Sequence, residues 1–252
     1  MATISVVIPS RNDAVFLANC LKALAQQTRP PDETLVVDNA STDHTAAVCD
    51  AAGVRRIVEP LPGVSPATAC GFDAASGEII ARLDADSVPP PDWLERLERL
   101  VEGAGPLTAV TGPGDFYGSN RLTRWFAENI YIDGYRWSMS GLLGHPPLFG
   151  SNFAVRSQMW KRLRERMNRT GERIHDDLDL SYQLTPDMTV LWVETLRVGV
   201  STRPLEHWHA VGRRLSMAWT TYRTDFEQEA PWRRKRARRD WQARNGPPGQ
   251  GH

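Results

Sequence analysis

The chain has 252 residues, 41% hydrophobic and 24% charged, which is ordinary for a globular protein and enough for one large α/β domain or two small ones. Its 30 basic and 30 acidic residues balance, yet residues 233–244 carry seven arginines or lysines against Asp240 alone, a basic tail on a body of net charge near −6. Three widely spaced cysteines without a C-x-x-C pair exclude a disulfide framework or zinc site, and no secretory leader or run of about 18 apolar residues is found, so a cytoplasmic protein is expected.

Residues 4–8 read as a buried first strand closed by a loop at Pro9, Ser10, Arg11 and Asn12. Leu17, Cys20, Leu21 and Leu24 then fall at helical spacing, and Pro30 and Pro31 end that helix. A second strand at 34–37 ends at Asp38, after which Ser41, Thr42 or Asp43 is expected to cap the next helix. A third strand at 55–59, a helix at 66–75 stopped by Gly77 and a fourth strand at 79–83 continue the alternation, which implies a parallel sheet with right-handed crossovers.

The fourth strand runs into Asp84, Ala85 and Asp86, two carboxylates at i and i+2 at the rim where such sheets bind ligands, a site for a hard cation. The competing reading is a chance surface triplet. Pro89, Pro90 and Pro91 bar the strand from continuing, and a helix restarts with Leu94, Leu97, Leu100 and Val101 along one face. Neither G-x-x-x-x-G-K-[ST] nor G-x-G-x-x-G occurs, so nucleotide binding has to run through metal and carboxylates.

Past Pro106 a strand at 107–111 precedes a stretch rich in aromatics, Trp125, Phe126, Tyr131, Tyr135 and Trp137, which reads as core more readily than as an acceptor platform. A helix at 157–167 follows, then acids at Asp176, Asp177 and Asp179 at a helix start. His207 and His209 lie at i and i+2 in an extended stretch, ahead of Arg213 and Arg214, which are placed to clasp a diphosphate or simply to face solvent.

The series Ser5-Val6-Val7-Ile8-Pro9, then 37–43 with Asp38 and Asp43, then Leu83-Asp84-Ala85-Asp86, then Asp176-Asp177-Leu178-Asp179-Leu180 resembles the family 2 glycosyltransferases with the GT-A fold, over roughly residues 3–200. The likeness departs at Thr68 and Ala69, where the family often has arginine and asparagine, and at Asp176, where it usually has glutamate. The resemblance implies a single α/β domain with a mostly parallel central sheet flanked by helices: a donor half at 1–105, an acceptor and catalytic half at 106–212, and a C-terminal helix with basic tail at 213–252. It implies a UDP- or GDP-linked sugar donor, an acceptor sugar or lipid-linked sugar in envelope, polysaccharide or glycolipid synthesis, and inversion at the anomeric carbon. By the same likeness Asp38 lies near the nucleobase, Pro9, Ser10 and Arg11 near the nucleoside, Asp84 and Ala85 along the donor, and Gly150, Ser151, Asn152 and Asp176 around the transferred sugar.

For that chemistry Mn²⁺ or Mg²⁺ would bridge Asp86, with Asp84, to the donor phosphates, and the family's late histidine ligand maps to His209 first and His207 second. Asp177 is the candidate general base. The bland alternative for Asp176, Asp177 and Asp179 is a set of acids complementing a helix dipole, with Asp179 expected to do no more than that. Trp232 and the basic run after it read either as a contact for anionic membrane on the inner face or as a solvated end, and no nucleic acid partner is expected. The rival functions are a nucleotidyltransferase and a non-catalytic polyanion-binding module.

Overall fold

Strand β1 (Ile4–Ser10) is buried along its whole length, and its side chains divide by period two between opposite faces of a sheet. Ile4, Val6 and Ile8 pack with Leu17, Leu21 and Leu24 of α1 (Ala14–Leu24) and with Leu94, Leu97 and Val101 of α4 (Trp93–Gly103). Val7 points the other way, into a second core with Leu35, Val37, Phe72, Ile80, Phe153 and Leu180. A strand buried on both faces reads as a continuous apolar run, and each such Val, Ile or Leu contributes about 1.5–3 kcal/mol by leaving water.

This computed structural model describes residues 1–118, 133–170, 173–203 and 208–246, the last without the side chains of 208–211 and 213–215. The central sheet also holds β2 (Glu33–Asp38), β3 (Arg55–Val58), β4 (Ile79–Arg82), β5 (Thr108–Thr111), β7 (Phe153–Arg156) and β8 (Thr189–Trp192). Its seven strands run in the order β3-β2-β1-β4-β7-β5-β8, all parallel except β7, which is antiparallel to both β4 and β5. The expected parallel βαβ start is therefore present, with α2 (Thr45–Ala52) and α3 (Val64–Ala74) as crossovers. One sheet spans the boundary drawn at residue 105.

A second sheet pairs β6 (Gly114–Tyr117) with β9 (Val198–Ser201) and is bridged through Gly199 to Val88, just after the D-x-D stretch. Beyond it lie α5 (Asp133–Leu143), α6 (Ser157–Leu163), α7 (Asp176–Gln183), α8 (Trp208–Gln228) and α9 (Pro231–Asn245). The boundary drawn at residue 212 falls inside α8.

Helix α3 sits close on the sheet at Gly71, where an added Cβ would lie 2.7 Å from Val37 Cγ2 and closer still to Val7. Gly71→Ala is expected to cost about 1–3 kcal/mol by overpacking, read as a lowered Tm in thermal unfolding. An unchanged Tm would mean that the helix can slide away from the sheet freely.

Three local expectations come out differently. Helix α2 starts at Thr45, and although Asp43 takes the Thr45 N–H at 3.0 Å, the formal cap position is His44. Of the aromatic stretch, Trp125, Phe126 and Tyr131 lie outside the described residues; Tyr135 donates to Leu148 O at 2.9 Å as a core residue would, whereas Trp137 is 81% exposed. The basic tail is helical through Asn245, with the residues after Gly246 outside the described set. Arg238 donates to Met188 O at 2.6 Å and Thr185 O at 3.2 Å, and Arg234 to Leu184 O at 2.8 Å, so two of the tail's cations satisfy carbonyls just past the end of α7. A purely solvated end is overturned.

Candidate active site

The carboxyl ends of β1, β2 and β4 meet at one rim. Asp38 closes β2 and is buried; its Oδ1 accepts the Ser41 N–H at 2.9 Å and its Oδ2 faces Arg56 at 3.0 Å. Asn39 spreads its amide over the next connection, donating to Glu59 O and Leu61 O and accepting the Gly63 N–H at 2.8 Å. Between them Ala40 is held at φ 55°, a left-handed conformation that costs a non-glycine residue about 1–2 kcal/mol. The loop after β1 is braced against this turn, since Asn12 N–H donates to Ser41 Oγ and Asn12 Oδ1 accepts the Thr42 N–H at 2.8 Å. Ser10 Oγ is buried at this rim with no hydrogen-bond partner among the described residues, while Arg11 is exposed. A buried hydroxyl left unmatched is costly unless something binds it.

Arg82 is the centre of the acidic cluster. It is 1% exposed at the end of β4; Nη1 lies 2.7 Å from Asp84 Oδ1 and also donates to Gly150 O, and Nη2 lies 2.9 Å from Asp176 Oδ2. Asp176 Oδ2 accepts Thr68 Oγ1–H at 2.6 Å, so the residue that departs from the family pattern supports the acidic motif. Gly150 N–H donates to Asp177 Oδ2 at 2.9 Å, and Asp177 Oδ1 accepts the Leu178 N–H at 2.8 Å. A Cβ at Gly150 would lie 2.9 Å from Arg82 Nη1 and 3.0 Å from Asp177 Oδ2, so a side chain there would crowd both groups.

Burial first, and then the neighbouring Asp176, push the Asp177 carboxyl above its usual range, while His175 and Arg82 oppose the rise. A carboxylate whose proton affinity is raised, oriented by two backbone N–H groups, is suited to taking a proton. Sequence reasoning missed Arg82, because a charged residue in an apolar strand gives no sign of its partners; its place two residues before the D-x-D pair was the available signal.

The two carboxylates of the D-x-D pair are treated differently. Asp84 has Oδ1 against Arg82 and Oδ2 accepting Ser151 Oγ–H at 2.5 Å, so it is tied into the protein. Asp86 is held through its backbone carbonyl by Tyr117 O–H at 2.7 Å, and its Oδ2 lies 3.7 Å from Arg203 Nη2. Arg203, also missed from the sequence, pairs with Asp13 at 2.8 Å and lies over the Phe16 ring at 3.8 Å. Hard carboxylate oxygens at Asp86 and Asp84 would suit a divalent cation, which would supply positive charge beside a bound diphosphate.

Among the described residues no group of three or more His, Cys, Asp or Glu forms a ready-made metal cluster. His209, Arg213 and Arg214 lie within α8 rather than in an extended stretch or at a helix start, and their side chains, together with His207, lie outside the described residues.

Pro9, Ser10, Asp38, Asp84, Ala85, Gly150, Ser151, Asp176 and Asp177 are thus brought to the connected rim of β1, β2 and β4 with the turn before β7. Asn152 is not directed there. It is wholly buried, accepts Trp93 Nε1–H at 2.9 Å and donates to Leu196 O at 2.6 Å, so it fixes the turn from the core side. Asp179 is no surface dipole acid either: it is fully buried and accepts the Asn168 N–H at 2.7 Å.

The sequence model of the family described as Glycosyl transferase family 2 matches residues 5–169. Glycosyltransferase AglE of Haloferax volcanii is 36% identical over 110 residues, covering 40% of this chain and 36% of that protein. The undecaprenyl-phosphate 4-deoxy-4-formamido-L-arabinose transferase of Serratia proteamaculans is 28% identical over 136 residues, 50% of this chain and 40% of that one. The matches thus span well under half of each relative. Among solved structures, the mannosyltransferase PcManGT of Pyrobaculum calidifontis in complex with GDP-Man and Mn²⁺ superposes with a TM-score of 0.67 at 20% identity, covering 97% of this chain and 76% of that one. The glucosyl-3-phosphoglycerate synthase of Mycobacterium tuberculosis in complex with Mn²⁺, UDP and glucosyl-3-phosphoglycerate gives 0.66 at 22%, covering 90% and 79%. At such identities the structural likeness bears on the fold, which is that of GT-A enzymes.

Proposed function

The chain belongs to glycosyl transferase family 2, and from that premise we propose that it moves a sugar from a UDP- or GDP-linked donor to an acceptor hydroxyl with inversion, in a metal-dependent reaction. The observation that carries the reading is the linkage of Asp84, Asp176 and Gly150 through the buried Arg82, with Asp177 held by the Gly150 N–H. It joins a phosphate-side carboxylate to a candidate base in one rigid unit.

In this reading residues 1–105 bind the donor, residues 106–212 bind the acceptor and supply the base, and the rest forms the C-terminal helix and tail. Asp38 and Ser10 meet the nucleoside, and Arg203 lies beside Asp86 to meet the diphosphate. A Mn²⁺ or Mg²⁺ ion held by Asp86 would neutralise charge on the departing diphosphate. Asp177 takes the proton from the attacking hydroxyl, and a single in-line displacement inverts the anomeric centre.

The nucleotides bound to PcManGT and the M. tuberculosis synthase, the donor GDP-Man and the nucleoside diphosphate UDP, support a sugar nucleotide without choosing the base. The Serratia relative acts on undecaprenyl phosphate by its name, which supports a lipid-linked acceptor. The test is a thermal-shift series of UDP and GDP with and without manganese, followed by product analysis. Release of nucleoside diphosphate is expected. Pyrophosphate would favour a nucleotidyltransferase, and no metal-dependent binding would favour a polyanion-binding module.

No helix among the described residues is long and apolar enough to cross a membrane. The reading places the protein on the inner membrane face, through the outer side of α9. Trp232 is 72% exposed there and Arg236 and Arg239 are exposed with it, while Arg234 and Arg238 hold the helix down. Truncation would remove those two anchors, so charge reversal is the cleaner probe. The double change Arg236→Glu and Arg239→Glu is expected to weaken sedimentation with phosphatidylglycerol vesicles, each lost cation costing about 1 kcal/mol, and salt should weaken the wild type similarly. Equal sedimentation of both proteins would remove the membrane contact.

A further inference from the structure

Helix α8 is fastened to α7 at two points one helical turn apart. Thr221 Oγ1 accepts the His175 N–H at 2.9 Å just before α7 begins, and four residues later Asp225 meets Asp179. Asp179 and Asp225 are 0% and 1% exposed, and Gln183 Nε2 donates to both, at 3.2 Å and 3.4 Å. Two ionised carboxylates cannot share one dry site, so one of them has to carry a proton.

The partners say which. Asp179 is supplied with donors, the Asn168 N–H on Oδ2 and Gln183 on Oδ1, as an anion requires. Asp225 Oδ2 meets no donor among the described residues, which suits a protonated oxygen that itself donates to Asp179. The charged and titratable groups facing the pair are Asp176 and Tyr182 on α7 and Arg234 on α9, with Glu229 and Arg166 around Arg234. Arg234 is itself committed to Glu229 and to the Tyr182 ring at 4.4 Å, and makes no ion pair with Asp225.

We propose that Asp225 is a positioning residue for the reaction: through one proton shared with Asp179 it holds α8 against α7 and so fixes the first turn of α7, where Asp176 and Asp177 sit. This rests on the reading of Asp177 as the base. Burial, then the facing Asp179, push the Asp225 carboxyl up to about 9. The sign follows from linkage. The folded protein keeps a proton that the unfolded chain releases at the ordinary carboxylate range, so the stabilisation from this group is full below that range and is lost as pH rises towards about 9. Near that pH the pair becomes two facing anions, α8 is repelled from α7, and Asp177 loses its placement.

Asparagine in place of Asp225 can donate the same hydrogen bond at every pH, whereas alanine cannot. The test compares wild type, Asp225→Asn and Asp225→Ala from pH 5 to 10, by thermal unfolding and by manganese-dependent turnover of UDP-glucose and GDP-mannose, with water as acceptor. Asp225→Asn is expected to keep the wild-type rate near pH 7 and to lose the alkaline fall in both Tm and kcat. Asp225→Ala is expected to lower kcat by roughly tenfold to a hundredfold with KM little changed, as for misplaced catalytic groups. An alkaline fall in Asp225→Asn equal to that of the wild type overturns the proposal, and so does Asp225→Asn failing like Asp225→Ala. Asp177→Asn run beside them separates the two readings: wild-type turnover in that variant removes the base assignment, while the pH dependence of Tm still decides the shared proton.

Discussion

Asp177→Asn is expected to lower transfer by roughly a hundred- to ten-thousand-fold while leaving donor binding intact. Asparagine keeps the size of the side chain, and its carbonyl oxygen can still accept from Gly150 or Leu178, but it cannot take a proton. Because burial and Asp176 raise the affinity of Asp177 for its proton, the wild-type rate should climb with pH through a midpoint above the ordinary carboxylate range. The variant should lack that limb. Single-turnover kinetics with a saturating donor, alongside calorimetric titration of the nucleotide, separate chemistry from binding. If Asp177→Asn turns over at the wild-type rate, the base lies elsewhere, and Asp176 is a poor substitute because its Oδ2 is already shared between Arg82 and Thr68.

Asp86→Ala is expected to abolish manganese-dependent nucleotide binding, a loss larger than the about 10–100-fold that removing a supporting partner of a metal ligand costs. The fold should survive. The side chain of Asp86 sits at the rim, its backbone carbonyl stays held by Tyr117, and Arg203 keeps Asp13 and the Phe16 ring. Asp84→Ala should behave differently, since it strips a carboxylate from the buried Arg82 and an acceptor from Ser151. Its cost should fall on stability and on kcat as well as on the metal, because the buried Arg82 guanidinium loses one of its two carboxylate partners and keeps only Asp176. Calorimetry with and without manganese, next to Tm, distinguishes the two aspartates. Unchanged metal-dependent binding in Asp86→Ala would falsify the assignment of the cation to this residue.

The local layout was legible in the sequence. Buried strands alternate with amphipathic helices, prolines and glycines mark the breaks, and Asp38 and Asp84 stand at or just past strand ends, because periods of 2 and 3.6 and backbone breakers act over a few residues. The placement of Asp176 and Asp177 at a helix start followed from the same short-range rules. What only the tertiary structure decided is which distant groups meet. β7 enters the sheet antiparallel between β4 and β5; Arg82 gathers acids from two separate stretches; Asn152 turns inward to Trp93. Asp179 finds Asp225 rather than solvent, and a tail that reads either as a membrane contact or as a solvated end is pinned by Arg234 and Arg238 to carbonyls beyond α7. A charged residue looks the same in a sequence whether water or another charge surrounds it, and that difference, set by long-range packing, determines whether it is a solvent-facing group or part of the site.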